Sequence, residues 1–143
     1  MKNWLPFAAL AALGVALMRK AGTGAYTSST VQRFARAIAV AEGYMKSDGT
    51  ILTNNKSAKY NNPGSIMTPQ WEMIRYATPD EGWAALYRQV DLMLSGRSAY
   101  YKPTMTISQV AKTYTGEAAY MNWASNVARV LGVSVETPIG AIS

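Results

Sequence analysis

The sequence predicts a mainly α (α+β) protein. One compact helical domain carries a small β-hairpin or irregular lobe, and one N-terminal membrane helix precedes it. Three observations lead there. Apolar residues recur at helical spacing in four segments after residue 29. Turn-forming pairs crowd residues 44–77 and almost nowhere else. An uncharged apolar run, Trp4 to Met18, opens the chain. The division that follows is an anchor over 1–20, a flexible linker over 21–29 and a folded domain over 30–143.

The anchor reads WLPFAALAALGVALM. As a helix it spans about 22 Å at ~1.5 Å per residue, short against a hydrocarbon core of ~30 Å. A membrane anchor is the favoured reading, with a cleaved signal or a soluble helix as alternatives. Arg19 and Lys20 directly after the run are unusual for a cleavage region. Lys2 on one side and Arg19 and Lys20 on the other leave the orientation open. Gly22 to Ser29 then reads as the linker.

Residues 30–42 form the first helix of the domain. With Val31 at 0° and 100° per residue, Phe34, Ala35, Ile38 and Ala41 share one stripe, while Arg33 and Arg36 lie opposite at about 200° and 140°. Glu42 falls at about 20°, in the middle of the apolar stripe. Gly43 follows as a natural stop. An acid at that place is partly desolvated and feels the negative end of the helix dipole, and both raise its pKa. A raised pKa suits a general acid near neutral pH. A buried Glu held by local hydrogen bonds is the purely structural alternative.

Between 44 and 77, Asp48-Gly49, Asn54-Asn55 and Asn61-Asn62-Pro63-Gly64 mark turns. Thr50 to Thr53 and Ser65 to Met67 are the candidate short strands. Thr78-Pro79-Asp80-Glu81 starts the next helix, with Thr78 as N-cap and Glu81 completing a capping box. That helix runs to about Leu94 and stops at Gly96. Thr106 and Gln109 repeat the capping-box pattern before a short helix to about Tyr114. Glu117 opens a last helix to Leu131, and the tail from Val133 to Ser143 reads as irregular.

Composition removes much chemistry. The chain has no Cys and no His. Disulfides, Cys/His zinc sites, Ser-His-Asp triads, Cys nucleophiles and imidazole bases are therefore excluded. No clustered carboxylates and no Gly-rich phosphate loop are present either, so no metal and no organic cofactor are expected. Three of the 14 basic residues flank the anchor, leaving 11 against 8 acids in the rest. That mild excess suits an anionic polymer such as a cell wall, and it equally suits ordinary solubility. There is no concentrated basic stripe of the kind a nucleic-acid partner needs. No second carboxylate is paired with Glu42 by spacing, so a two-carboxylate glycosidase has no support.

Three stretches in this order resemble a known family. They are Ala41-Glu42-Gly43-Tyr44, Tyr60-Asn61-Asn62-Pro63-Gly64-Ser65-Ile66, and Tyr76-Ala77-Thr78-Pro79-Asp80-Glu81-Gly82-Trp83-Ala84-Ala85-Leu86. Together with Thr113-Tyr114-Thr115-Gly116 and Asn122-Trp123-Ala124 they resemble the lysozyme-like superfamily, over roughly residues 30–138. The likeness is to phage and bacterial lytic transglycosylases and glucosaminidases. Two positions depart from the pattern: Ser65 stands where Asn is expected, and Gly43 where transglycosylases commonly have Ser.

The resemblance implies a lysozyme-like helical domain that cleaves peptidoglycan glycan strands. Glu42 would be the general acid, and in a transglycosylase also the base, with the sugar's own 6-hydroxyl attacking. Tyr114, Asn62 and Thr78 are implied as substrate-positioning candidates. For Tyr114 core packing is the alternative, and for Asn62 the holding of its turn. Trp123 and Tyr120 read as core, with a place beside a sugar as the second reading. With the anchor, the whole resembles a phage signal-anchor endolysin or a virion-associated transglycosylase. Its expected location is the host inner membrane or a virion internal membrane, with the domain facing the wall. A non-catalytic lysozyme-like wall-binding or virion structural membrane protein keeps the same fold without needing a protonatable Glu42. A third reading, a membrane-anchored interaction protein with no glycan role, expects Glu42 sealed in the core.

Overall fold

The computed structural model describes residues 28–143. The anchor and all of the linker but Ser28 and Ser29 lie outside the described residues. Among the described residues no helix is long and apolar enough to cross a membrane.

Five α-helices carry about half of the described chain. The first, α1, is Ser29–Ala41. It starts one residue earlier than the apolar pattern suggests, because the Ser28 hydroxyl accepts the Val31 N–H and caps it. Its stripe is as the spacing predicts: Val31, Phe34, Ala35 and Ile38 are buried. Arg33 and Arg36 are exposed.

Helix α1 ends in a Schellman motif. The Gly43 N–H donates to Val40 O, and the Tyr44 N–H donates to Ala39 O. Gly43 takes φ +79°, the left-handed conformation that glycine adopts at least cost. Glu42 is thereby the C-cap residue, held at the last point where the helix still fixes its direction.

The lobe after α1 is more irregular than a hairpin. Isolated antiparallel bridges, Met45 with Ile51 and Met67 with Met73, stand where short strands are expected. One extra turn of helix, α2 (Lys56–Lys59), lies between them, capped by Asn55. The Asn55 side chain accepts from Ala58 N and donates to Gly43 O, tying the lobe to the end of α1.

Helix α3 (Pro79–Leu94) has Thr78 as N-cap, its hydroxyl accepting from Glu81 N at 3.2 Å. Glu81 reaches one residue past the usual capping box and accepts from Ala77 N at 3.0 Å. Helix α4 (Ile107–Thr115) has the full reciprocal box between Thr106 and Gln109. Helix α5 is Tyr120–Leu131. It begins three residues later than Glu117, which sits in the turn after Gly116, a residue at φ +89°.

The main core is a cluster shared by α1, α3, α4 and α5, with Phe34, Ile38, Leu86, Val110 and Val127 completely enclosed, and a smaller one gathers Ala39, Tyr44 and Met45. Helix α1 packs against α5 and α3, and α4 packs against α5. The tail is not loose. A 3-10 turn at Ile139–Ala141 inserts Ile139 fully into the core.

Candidate functional site

The site is built at the C-terminal end of α1. Glu42 is half-buried as a residue, and its carboxyl is turned inward onto α5. Trp123, from the buried face of α5, donates its indole N–H to Glu42 Oε2 at 2.6 Å. The Ser65 side chain also hydrogen-bonds the carboxyl. Burial pushes the Glu42 pKa up from 4.5 to about 7, and the hydrogen bonds from Ser65 and Trp123 only partly oppose it. An indole N–H can only donate. Oε2 is therefore the accepting oxygen, and the proton of the acid form belongs on Oε1.

Each partner is itself held. The Trp123 ring stacks on Tyr114, with centroids 4.8 Å apart and planes 29° from parallel. The Tyr114 hydroxyl donates to Gly64 O at 2.7 Å. Ser65 Oγ lies 3.0 Å from Ser57 Oγ, whose residue is buried. Ser65 has φ +50°, unusual for a residue other than Gly, Asn or Asp. That conformation follows a tight turn in which Ser65 N donates to Asn62 O.

The turn carrying Ser65 is fixed by Asn62. This side chain is fully enclosed. It donates to Ile66 O and Ile74 O at 2.8 Å each, and its oxygen accepts from Ile66 N at 2.9 Å. The turn also lies directly on α3. A Cβ added to Gly82 would stand 1.7 Å from Asn61 O, so only glycine permits this approach.

The four residues singled out from sequence thus fall in different places. Tyr114 belongs to the Glu42 assembly, with its hydroxyl engaged by Gly64 and its ring by Trp123. Asn62 holds the turn that presents Ser65. Thr78 is exposed and caps α3. Ser65 and Trp123, the direct partners of Glu42, were not among the four. A sign was present for Trp123: a tryptophan on a buried helical stripe needs an acceptor for its N–H. Ser65 stands out only as a departure from the family pattern.

Tyr101 and Tyr114 are both pushed well above the ordinary phenol range, chiefly by burial and secondarily by the Glu42 carboxylate. They stay protonated at any pH where Glu42 titrates. Among the described residues no group of three or more metal-binding side chains gathers. No family model, no curated protein and no solved structure matches this chain.

Proposed function

We propose that the chain is a lysozyme-like enzyme that cleaves the glycan strands of peptidoglycan, with Glu42 as its acid and base. The observation that carries this reading is a half-buried glutamate at a helix end whose carboxyl, held by the Trp123 indole N–H, has its pKa lifted to about 7 by burial. Such a group holds its proton near neutral pH and still releases it readily.

In the proposed reaction Glu42 Oε1 gives its proton to the glycosidic oxygen. The bond from that oxygen to the anomeric carbon breaks through an oxocarbenium-like transition state. The Glu42 carboxylate then takes the proton of the sugar's own 6-hydroxyl, whose oxygen bonds to the anomeric carbon. The product is an anhydro sugar, Glu42 is again protonated, and no water is consumed. This route needs one carboxyl, as found here. Trp123 and Ser65 steady the carboxylate between the two proton transfers.

With an N-terminal anchor the enzyme would work from a phage virion membrane or the host inner membrane. The test is digestion of purified peptidoglycan by the full chain in an uncharged detergent, beside its Glu42→Gln variant. Sugar ends are read by mass spectrometry. Anhydro ends that vanish in the variant are expected. Reducing ends with the same dependence point to hydrolysis instead. No cleavage by folded wild-type chain refutes the enzyme and leaves the wall-binding reading.

A further inference from the structure

A concavity lies on the side of α1 away from Glu42. It encloses about 360 Å³ and is lined by Ser29, Gln32, Arg33, Arg36, Met45, Trp83 and Tyr87. Small-molecule sites run from roughly 300 to 1,000 Å³, so it is large enough for one substituted sugar ring. Arg33 and Arg36 sit at about 200° and 140° around α1, against about 20° for Glu42. The two sites therefore face away from each other.

The lining has three chemical parts. The Trp83 and Tyr87 rings, one helical turn apart on α3, stand 5.7 Å apart at 37° and make an aromatic wall. Ser29 and Gln32 supply groups that both donate and accept hydrogen bonds. Arg33 and Arg36 supply positive charge, and no lining residue is acidic. Each guanidinium is anchored by one backbone carbonyl: Arg33 Nη2 by Leu131 O at 3.3 Å and Arg36 Nη2 by Ser47 O at 2.7 Å. A guanidinium has five N–H donors, so each keeps several for a ligand. Asp48 lies near enough to Arg36 to be influenced by it, but outside the lining.

The geometry points to a binding site for an acidic saccharide, a sugar bearing a carboxylate or phosphate, on the face of α1 opposite Glu42. The aromatic wall takes the apolar face of the ring, Ser29 and Gln32 take its hydroxyl or amide groups, and the two arginines take the anion. This site is independent of the cleavage reading. In a wall-cleaving enzyme it would hold the polymer while Glu42 works elsewhere.

The test is calorimetric titration of the full chain in an uncharged detergent. The probes are N-acetylmuramic acid, glucose 6-phosphate, neutral N-acetylglucosamine and inorganic phosphate. At least one acidic sugar should bind ten times or more tighter than the neutral sugar and than phosphate alone, and the tighter of the two names the anion. The double variant Arg33→Gln, Arg36→Gln should weaken that binding tenfold or more while still showing one cooperative thermal transition, lowered only by the loss of the bonds to Leu131 O and Ser47 O. Glu42→Gln should leave it unaltered. The proposal falls if the neutral sugar binds equally well, or if phosphate alone does. It also falls if the arginine variant binds normally, if Glu42→Gln abolishes binding, or if no probe binds the folded chain. None of these outcomes depends on glycan cleavage.

Discussion

Trp123 and Glu42 are 81 residues apart in sequence and 2.6 Å apart at the indole nitrogen and carboxylate oxygen. The donor is on α5 and the acceptor caps α1, two helices packed directly on each other. The helix pair thus sets the position of the acid, and the acid's protonation reflects how well that pair is packed.

Burial costs the charged form of Glu42 more in the folded chain than in the unfolded one. Its folded pKa of about 7 lies above the ordinary 4.5, so between those pH values the folded state binds more protons. Stability is then greatest below about pH 4.5 as far as this group is concerned, and it is lost as pH rises through 7. Glu42→Gln removes that loss. The variant should melt as the wild type does near pH 4 and be more stable by roughly 1–3 kcal/mol at pH 8. Denaturant titrations at the two pH values measure it.

Removing a donor to the carboxylate disfavours its charged form further. Trp123→Phe and Ser65→Ala should each raise the Glu42 pKa, the former by roughly 1–2 given about 1.36 kcal/mol per pKa unit and ~1.5–3 kcal/mol for a hydrogen bond to a charge. Carbon-13 chemical shifts of labelled glutamate, followed against pH, report this. A pKa that falls in either variant contradicts the arrangement. In the proposed reaction the alkaline limb of the rate profile moves upward with it.

Gly82→Ala forces a methyl group into Asn61 O. The turn must leave α3, so a loss of about 2 kcal/mol or more is expected. Because that turn carries Ser65, the Glu42 pKa should move as well. A variant of wild-type stability shows that the contact is easily relieved.

Asn62→Asp keeps shape but loses both donors. Ile66 O and Ile74 O would then face an acceptor in the interior, at a cost of roughly 2–5 kcal/mol. Thr78→Ala, in contrast, removes one exposed cap and should cost about 1 kcal/mol, with the Glu42 pKa unchanged. Thermal melts and the same carbon-13 titration separate the two effects.

The helices that sequence makes legible are those with a stripe and a cap. Val31, Phe34, Ala35 and Ile38 recur at helical spacing along α1, and Thr78 and Thr106 announce α3 and α4. The single turn α2 is too short for periodicity to show, and Ile139 in the tail is one apolar residue with no pattern around it. The placement of an acid on an apolar stripe is likewise local information, which is why Glu42 can be found from spacing. Its partners cannot. Ser65 reaches it through a left-handed turn, and Trp123 through the packing of distant helices. Thr78, which the resemblance implies as a substrate-positioning residue, caps α3 on the exposed surface.

The long span between Glu42 and Trp123 also bears on synthesis. A ribosome delivers residue 42 well before residue 123, and until α5 emerges the indole donor is missing and the enclosure is incomplete. Through that interval the side chain is an ordinary carboxylate, ionised at cytoplasmic pH. The raised proton affinity is acquired only when the last helix docks. A growing or truncated chain therefore carries the residue without the property, and the finished fold switches it on.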